Sequence, residues 1–183
     1  MIPSEEEALA LHRKYGSSDI IVRHCRVVTR VALTLAKGLQ SAGMEVDLDI
    51  VKAAGLLHDI GRTITHTVSH GLEGSKLLER EGVDDRVVQA VRRHVGAGLS
   101  KEEAKALGLP DHDYIPRSLE ERIVCFADKM VGSDRAQPFG EEVSRFVKKG
   151  HDVKRLIALK KGLERELGTD PEKFVLDNLK ESH

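Results

Sequence analysis

Ala53-Ala54-Gly55-Leu56-Leu57-His58-Asp59-Ile60-Gly61-Arg62 is an apolar run that stops on two adjacent ionisable residues. Upstream of it, Asp47 is a helix-capping residue type, and Ile50, Val51, Ala54 and Leu57 recur at helical spacing. The segment therefore predicts a buried helix from about Asp47 to His58, with the His-Asp pair at its last turn. The polar, Thr-rich stretch Gly61–Ser69 predicts a loop.

Working outward, the same periodicity continues. Ser4 followed by Glu7 is a capping-box signature for a first helix ending near Tyr15. Asp19 can cap a second that stops near Gly43, with Ile20, His24, Val27, Val28, Val31 and Leu35 at helical spacings. Downstream, helices are predicted over Gly71–Glu81, Asp84–Val95, Ser100–Gly108 and Ser118–Val131, then an irregular stretch Gly132–Gly140. Glu141 to about Lys180 predicts two or three amphipathic helices. No strand, repeat or low-complexity run is evident. The expectation is an all-α protein of one domain, residues 1–183, with a core at about 20–135 and peripheral helices at about 141–181.

Composition narrows the function classes. The 183 residues carry 29 Lys and Arg against 30 Asp and Glu, a net charge of -1. With no global basic field and only four Phe, two Tyr and no Trp, sequence-independent nucleic-acid binding is disfavoured. No apolar run approaches the roughly 18 residues of a membrane span, and Met1–Glu7 lacks a signal peptide's apolar stretch, so a cytoplasmic protein without a membrane partner is expected. Cys25 and Cys125 show no zinc or redox spacing. Two free buried thiols are expected, a disulfide between them being the alternative.

The informative residues are ionisable ones on apolar stripes. His24 lies four residues after Ile20 and four before Val28, His94 three after Val91, and Asp128 four after Val124. An unpartnered buried carboxylate costs several kcal/mol, so Asp59 and Asp128 together with buried imidazoles call for a shared cation, which a divalent metal supplies. Each residue alone is unremarkable: a single histidine on an apolar face is usually a satisfied core residue. Such exceptions on four helices point to a site.

His24, His58-Asp59 and Asp128, with the flanks Gly55–Arg62 and Phe126-Ala127-Asp128-Lys129, resemble the HD-domain superfamily of metal-dependent phosphohydrolases. The resemblance covers about residues 20–135 and implies an HD-domain helical bundle with additional C-terminal helices. His70-Gly71 and Arg93-His94-Val95-Gly96 are similar to the further histidine motifs of dinuclear members, nearest in pattern to the branch that hydrolyses diadenosine tetraphosphate. It implies one or two divalent ions (Mn, Fe, Co, Ni or Zn), with Asp59 bridging, His24, His58 and Asp128 on one ion and His70 and His94 on the other. The cyclic-di-GMP branch expects a paired His-His and a GYP motif, and both are missing.

The implied activity is hydrolysis of a phosphomonoester, phosphodiester or phosphoanhydride of a nucleotide-like substrate by metal-activated water. Asp59 and Arg62 are the expected catalytic residues. Arg62, Lys129, Arg135 and His66 are the expected substrate contacts, Arg62 foremost because a guanidinium grips phosphate bidentately. Lys129 has a rival reading, since the residue after an inward Asp turns about 100° away, toward solvent. His12, His112, His151 and His183 are expected at the surface, Arg92-Arg93 on a solvated face with the mouth of the site as the alternative, and the Glu102-Glu103 and Glu120-Glu121 pairs near helix N-termini. The alternative function is a catalytically idle, nucleotide-binding regulatory HD domain. The C-terminal helices pack on their own core or form a homodimer face.

Overall fold

The computed structural model describes residues 1–180, which form ten α-helices, one 3-10 turn and, among the described residues, no strand. α1 (Glu5–Tyr15) opens with the capping box: Ser4 Oγ accepts from the Glu7 N–H while the Glu7 carboxylate accepts from the Ser4 N–H. α2 (Asp19–Ser41) is capped by Ser18 rather than Asp19. A cap needs extended backbone, and Ser18 has it at ψ 155°, leaving Asp19 inside the positive first turn. α3 (Leu48–Leu57) starts at the Asp47 cap. The expected loop after it begins as a 3-10 turn, Ile60–Thr63, tightened by the Arg62 N–H donating to Asp59 O.

α4 (His70–Arg80), α5 (Asp85–Arg93), α6 (Lys101–Ala106) and α7 (Leu119–Lys129) follow. The C-terminal region forms three helices, α8 (Phe139–Lys148), α9 (Lys154–Leu167) and α10 (Pro171–Lys180). α2 is the central element, packed on α3, α7, α9 and α10. Its Val28, Val31, Leu35 and Leu39 are fully buried, each contributing about 1.5–3 kcal/mol of transfer free energy.

The C-terminal helices do not form a separate layer. Leu156, Leu163 and Leu167 of α9 and Val175 of α10 belong to the same apolar cluster as α2 and α3. Arg122 of α7 grips Glu166 of α9 through two bonds of 2.9 Å. Between α7 and α8, Val131 pairs with Ala136 in an isolated antiparallel bridge, and the Phe126 and Phe139 rings stack at 4.9 Å. That tight return is what turns α8 back toward α7.

Two surface expectations are corrected. His12 is buried: its Nε2–H donates to Leu56 O at 2.7 Å, and Nδ1 pairs with Ser17 Oγ at 2.6 Å. It thereby ties α1 to the end of α3. Arg92 and Arg93 are not solvated either, because α5 is wedged between α4 and α7. Arg93 reaches the buried Glu121 carboxylate, and Arg92 bonds Ser75 and Glu79. His112 and His151 are exposed as expected, and His183 lies outside the described residues. Cys25 and Cys125 are free and buried.

Candidate metal centre

Four histidines meet between α2, α3, α4, α5 and α7, and the backbone orients each of them. His58 follows α3 and His94 follows α5, so each ring can return to a helix carbonyl three residues back: His58 Nδ1–H to Gly55 O at 2.8 Å and His94 Nδ1–H to Val91 O at 2.7 Å. These bonds satisfy carbonyls that helix ends leave orphaned. His70 opens α4 and donates Nδ1–H to Thr67 O at 2.7 Å. His24, mid-helix in α2, donates to Gly132 O at 2.8 Å, beyond the end of α7. A carbonyl can only accept, so all four rings are fixed with the proton on Nδ1 and the lone pair on Nε2.

The four Nε2 atoms converge. His70 Nε2 stands 3.1 Å from His94 Nε2, an arrangement of two lone pairs with no proton of their own to share. The buried His58 Nε2 and Asp59 Oδ1 have no hydrogen-bond partner among the described residues. Leaving a buried polar atom unpaired costs about 1–3 kcal/mol, and a cation among these atoms removes that cost.

The carboxylates divide their oxygens. Asp59 Oδ2 accepts from Arg62 Nε at 2.6 Å, and Asp128 Oδ2 from Lys129 Nζ at 2.5 Å. The Oδ1 atoms face the imidazoles. Asp59 Oδ1 lies 3.2 Å from His70 Nε2 and 3.5 Å from His94 Nε2. Asp128 Oδ1 lies 3.1 Å from His24 Nε2 and 3.5 Å from His58 Nε2. Asp59 Oδ2 stands 3.8–3.9 Å from the latter two rings. Asp59 is thus the residue that touches both halves, and overlapping three-residue groups in this cluster have the spacing to hold a metal ion.

Electrostatics support ionised carboxylates and, at His94, a neutral imidazole, whereas against the cost of burial Asp128 raises His24, and Cys25 and Asp59 raise His58. Burial opposes charge on Asp59, but the imidazoles around it, His58 foremost and then His70 and His94, hold it well below the usual range. Burial likewise opposes charge on Asp128, and Lys129, His24 and His58 overcome it. Burial drives His94 down to about 4. Oxygen and neutral nitrogen donors of this kind suit a divalent transition metal.

Residues 21–132 match the HD domain family. The chain belongs to that family. It is 40% identical over 158 residues to an uncharacterized protein of Methanocaldococcus jannaschii, covering 84% of this chain and 93% of that one. It is also 40% identical over 172 residues to a tRNA (cytidine(56)-2'-O)-methyltransferase of Thermoplasma volcanium, covering 93% of this chain but 49% of that protein. The chain thus spans about half the length of that relative. Ribonuclease Y of Salinispora arenicola is 23% identical over 86% of this chain and 23% of its own length. The HD domain of the phosphodiesterase PgpH from L. monocytogenes superposes with a TM-score of 0.59 at 16% identity, covering 94% of this chain and 98% of that one. That likeness shows a shared fold.

The HD cluster forms the floor of a cavity of about 700 Å³, within the size range of small-molecule sites. Of the expected substrate contacts, Arg62, His66 and Lys129 line it. Arg62 spends Nε on Asp59, and its outer nitrogens remain free of other bonds to described residues. His66 is exposed in the loop before α4. Lys129 does not turn to solvent: it is buried, with Nζ on Asp128 and on His94 O. Burial disfavours its charge, yet Asp128 raises its pKa. Arg135 is exposed on the turn after α7 and is not among the cavity residues. Sequence reasoning missed Glu142, Arg145, Phe146 and Lys149 of the α8 region, which do line the cavity. Their spacing is legible, but it is equally that of any solvated amphipathic helix.

No helix among the described residues is long and apolar enough to cross a membrane.

Proposed function

We propose that the chain is a metal-dependent phosphohydrolase acting on a nucleotide-like phosphodiester or phosphoanhydride. The carrying observation is the convergence of four backbone-oriented Nε2 atoms on the Oδ1 atoms of two ionised aspartates. In this reading His24, His58, Asp59 and Asp128 would hold one divalent ion, and Asp59, His70 and His94 would hold a second. When bound, such ions supply Lewis acidity toward phosphate and a lowered pKa for water. The protein's own groups do the rest. Asp59 keeps its charge because Arg62 and the imidazoles surround it. The free edge of Arg62 takes a non-bridging phosphate oxygen, where developing charge is best stabilised. Lys129 positions Asp128. His66, on the exposed loop, contacts the substrate.

The motif pattern around His70 and His94 favours a dinucleoside polyphosphate such as diadenosine tetraphosphate, and the PgpH HD domain is known in complex with cyclic-di-AMP. A second reading, an RNA substrate, is favoured by the tRNA methyltransferase and ribonuclease Y relatives. A catalytically idle regulator is disfavoured by the complete ligand set.

Elemental analysis of the purified protein, followed by hydrolysis assays with Mn, Co, Ni, Fe and Mg, tests the proposal. Substrates are bis(p-nitrophenyl) phosphate, diadenosine tetraphosphate, a cyclic dinucleotide and an oligoribonucleotide, each run against Asp59→Ala. Absence of bound metal together with a variant indistinguishable from the parent refutes it. Cleavage confined to the oligoribonucleotide selects the RNA reading.

A further inference from the structure

The wall of the cavity contributed by α8 lies outside residues 21–132, the span that matches the HD domain. Glu142, Arg145, Phe146 and Lys149 follow one another at i, i+3, i+4 and i+7 and so share one face of α8 and its C-cap. All four line the cavity. The Val131–Ala136 bridge and the Phe126–Phe139 stack hold the start of α8 in place, and Glu172 of α10 accepts from the Phe139 N–H. The wall is therefore anchored to the main core at its N-terminal end.

Its chemistry differs from that of the floor. Phe146 is half-buried, packed on the core and set edge-on to the His151 ring at 5.7 Å. Arg145 is exposed, with one guanidinium nitrogen on Glu142 at 2.5 Å, which fixes its direction. Lys149 is exposed and makes no ion pair with any described residue. Ile20, also in the lining, is 60% exposed. An aromatic ring and an exposed aliphatic side chain make a surface for a flat heteroaromatic group. Arg145 and Lys149 are two further cations in the lining, on a different element from the Asp-paired Arg62 and Lys129, and they answer a second anion. A plain phosphomonoester carries neither group.

We propose that this face of α8 binds the part of the substrate beyond the scissile phosphate: Phe146 takes a base, and Arg145 and Lys149 take a second phosphate. The ligand class is a nucleotide with at least two phosphate groups. This deepens and rests on the phosphohydrolase reading, but its test is separable because it reads binding.

The probes are α,β-methylene-ADP, which resists hydrolysis, AMP and inorganic phosphate, titrated calorimetrically into the metal-loaded protein. The parent is expected to bind α,β-methylene-ADP at least about tenfold more tightly than phosphate, a gap of about 1.4 kcal/mol. Arg145→Ala with Lys149→Ala is expected to bring α,β-methylene-ADP down to the affinity of AMP, while AMP itself is unchanged. Phe146→Leu, which keeps the apolar packing and loses the ring, is expected to weaken α,β-methylene-ADP and AMP alike and to leave phosphate alone. Thermal melting verifies that each variant is folded. A parent without preference over phosphate overturns the proposal, as does a double variant that binds α,β-methylene-ADP as tightly as the parent does. If the preference depends on α8 while the parent neither holds metal nor cleaves bis(p-nitrophenyl) phosphate, the α8 site stands and the phosphohydrolase reading falls.

Discussion

The floor and the α8 wall of the cavity present opposite solutions to the placing of polar groups. On the floor every imidazole is buried or nearly so, and each is locked by a backbone carbonyl. On the wall, Arg145 and Lys149 are exposed, Arg145 is held only through a surface ion pair with Glu142, and only Phe146 is packed. A rigid floor suits chemistry that tolerates little displacement of the reacting atoms. A compliant wall suits recognition of a leaving portion that varies in shape. The contrast is open to attack at four points.

Asp59→Ala strikes the floor hardest. It removes the one carboxylate shared by both halves of the cluster and strips Arg62 of its partner. Hydrolysis is expected to fall by on the order of a thousandfold, at the upper end for losing one charge-stabilising group, with bound metal lost in parallel. Metal content and initial rates measured on the same preparation check this.

Gly61→Ala attacks the floor through its backbone. A Cβ at Gly61 would stand 1.9 Å from the His70 carbonyl oxygen and 2.5 Å from the Gly74 nitrogen. No flexible side chain can give way there, so the 3-10 turn and the start of α4 must part. The expected cost is about 3 kcal/mol or more, a fall in Tm of roughly 6–12 °C. Because His70 rides on α4, the half of the cluster it shares with His94 should lose metal before the His24 half does. Calorimetric melting with and without Mn measures both.

His12→Leu probes support from behind. His12 donates to the carbonyl of Leu56, two residues before the Asp-bearing turn. Loss of that bond leaves a buried acceptor unpaired, at about 1–3 kcal/mol, and Tm should drop by a few degrees. Metal affinity should weaken less than in Gly61→Ala, because His58 keeps its own bond to Gly55 O.

What the sequence revealed and what it hid follow the same division. Helices and their starts were legible because capping is local, as at Ser4, Asp47, Ser100 and Ser118. Most of the clustered His and Asp residues were legible because an ionisable residue breaks an apolar stripe wherever it is buried, whereas His70 was read only from the family resemblance. His12 stands on a stripe too, with Ala8, Leu11 and Tyr15, but that stripe is short and flanked by charges, and its burial comes from α1 lying on α3. Lys129 escaped for a related reason. The helix angle turns it from Asp128's direction, but its long side chain bends back to the carboxylate and to His94 O. The α8 wall was illegible because Phe146 and its flanking cations look like a solvated face until the turn after α7 folds them over the site.

Arg135→Ala carries the smallest expected effect and tests where the wall ends. Arg135, seven residues after Asp128, is one of the substrate contacts expected from the sequence, and its carbonyl closes the turn by accepting from the Gly132 N–H at 2.9 Å. That bond belongs to the backbone and survives truncation of the side chain. The guanidinium is exposed, forms no ion pair with described residues and lies outside the cavity lining. Stability should change by no more than about 0.5 kcal/mol, as for surface substitutions without special contacts. The KM for a nucleotide substrate should stay within about twofold of the parent value. A KM raised tenfold with kcat unchanged would extend the binding surface beyond α8 to the turn that precedes it. The compliant part of the site would then include the same segment whose Gly132 carbonyl fixes His24, and the division between floor and wall would no longer hold.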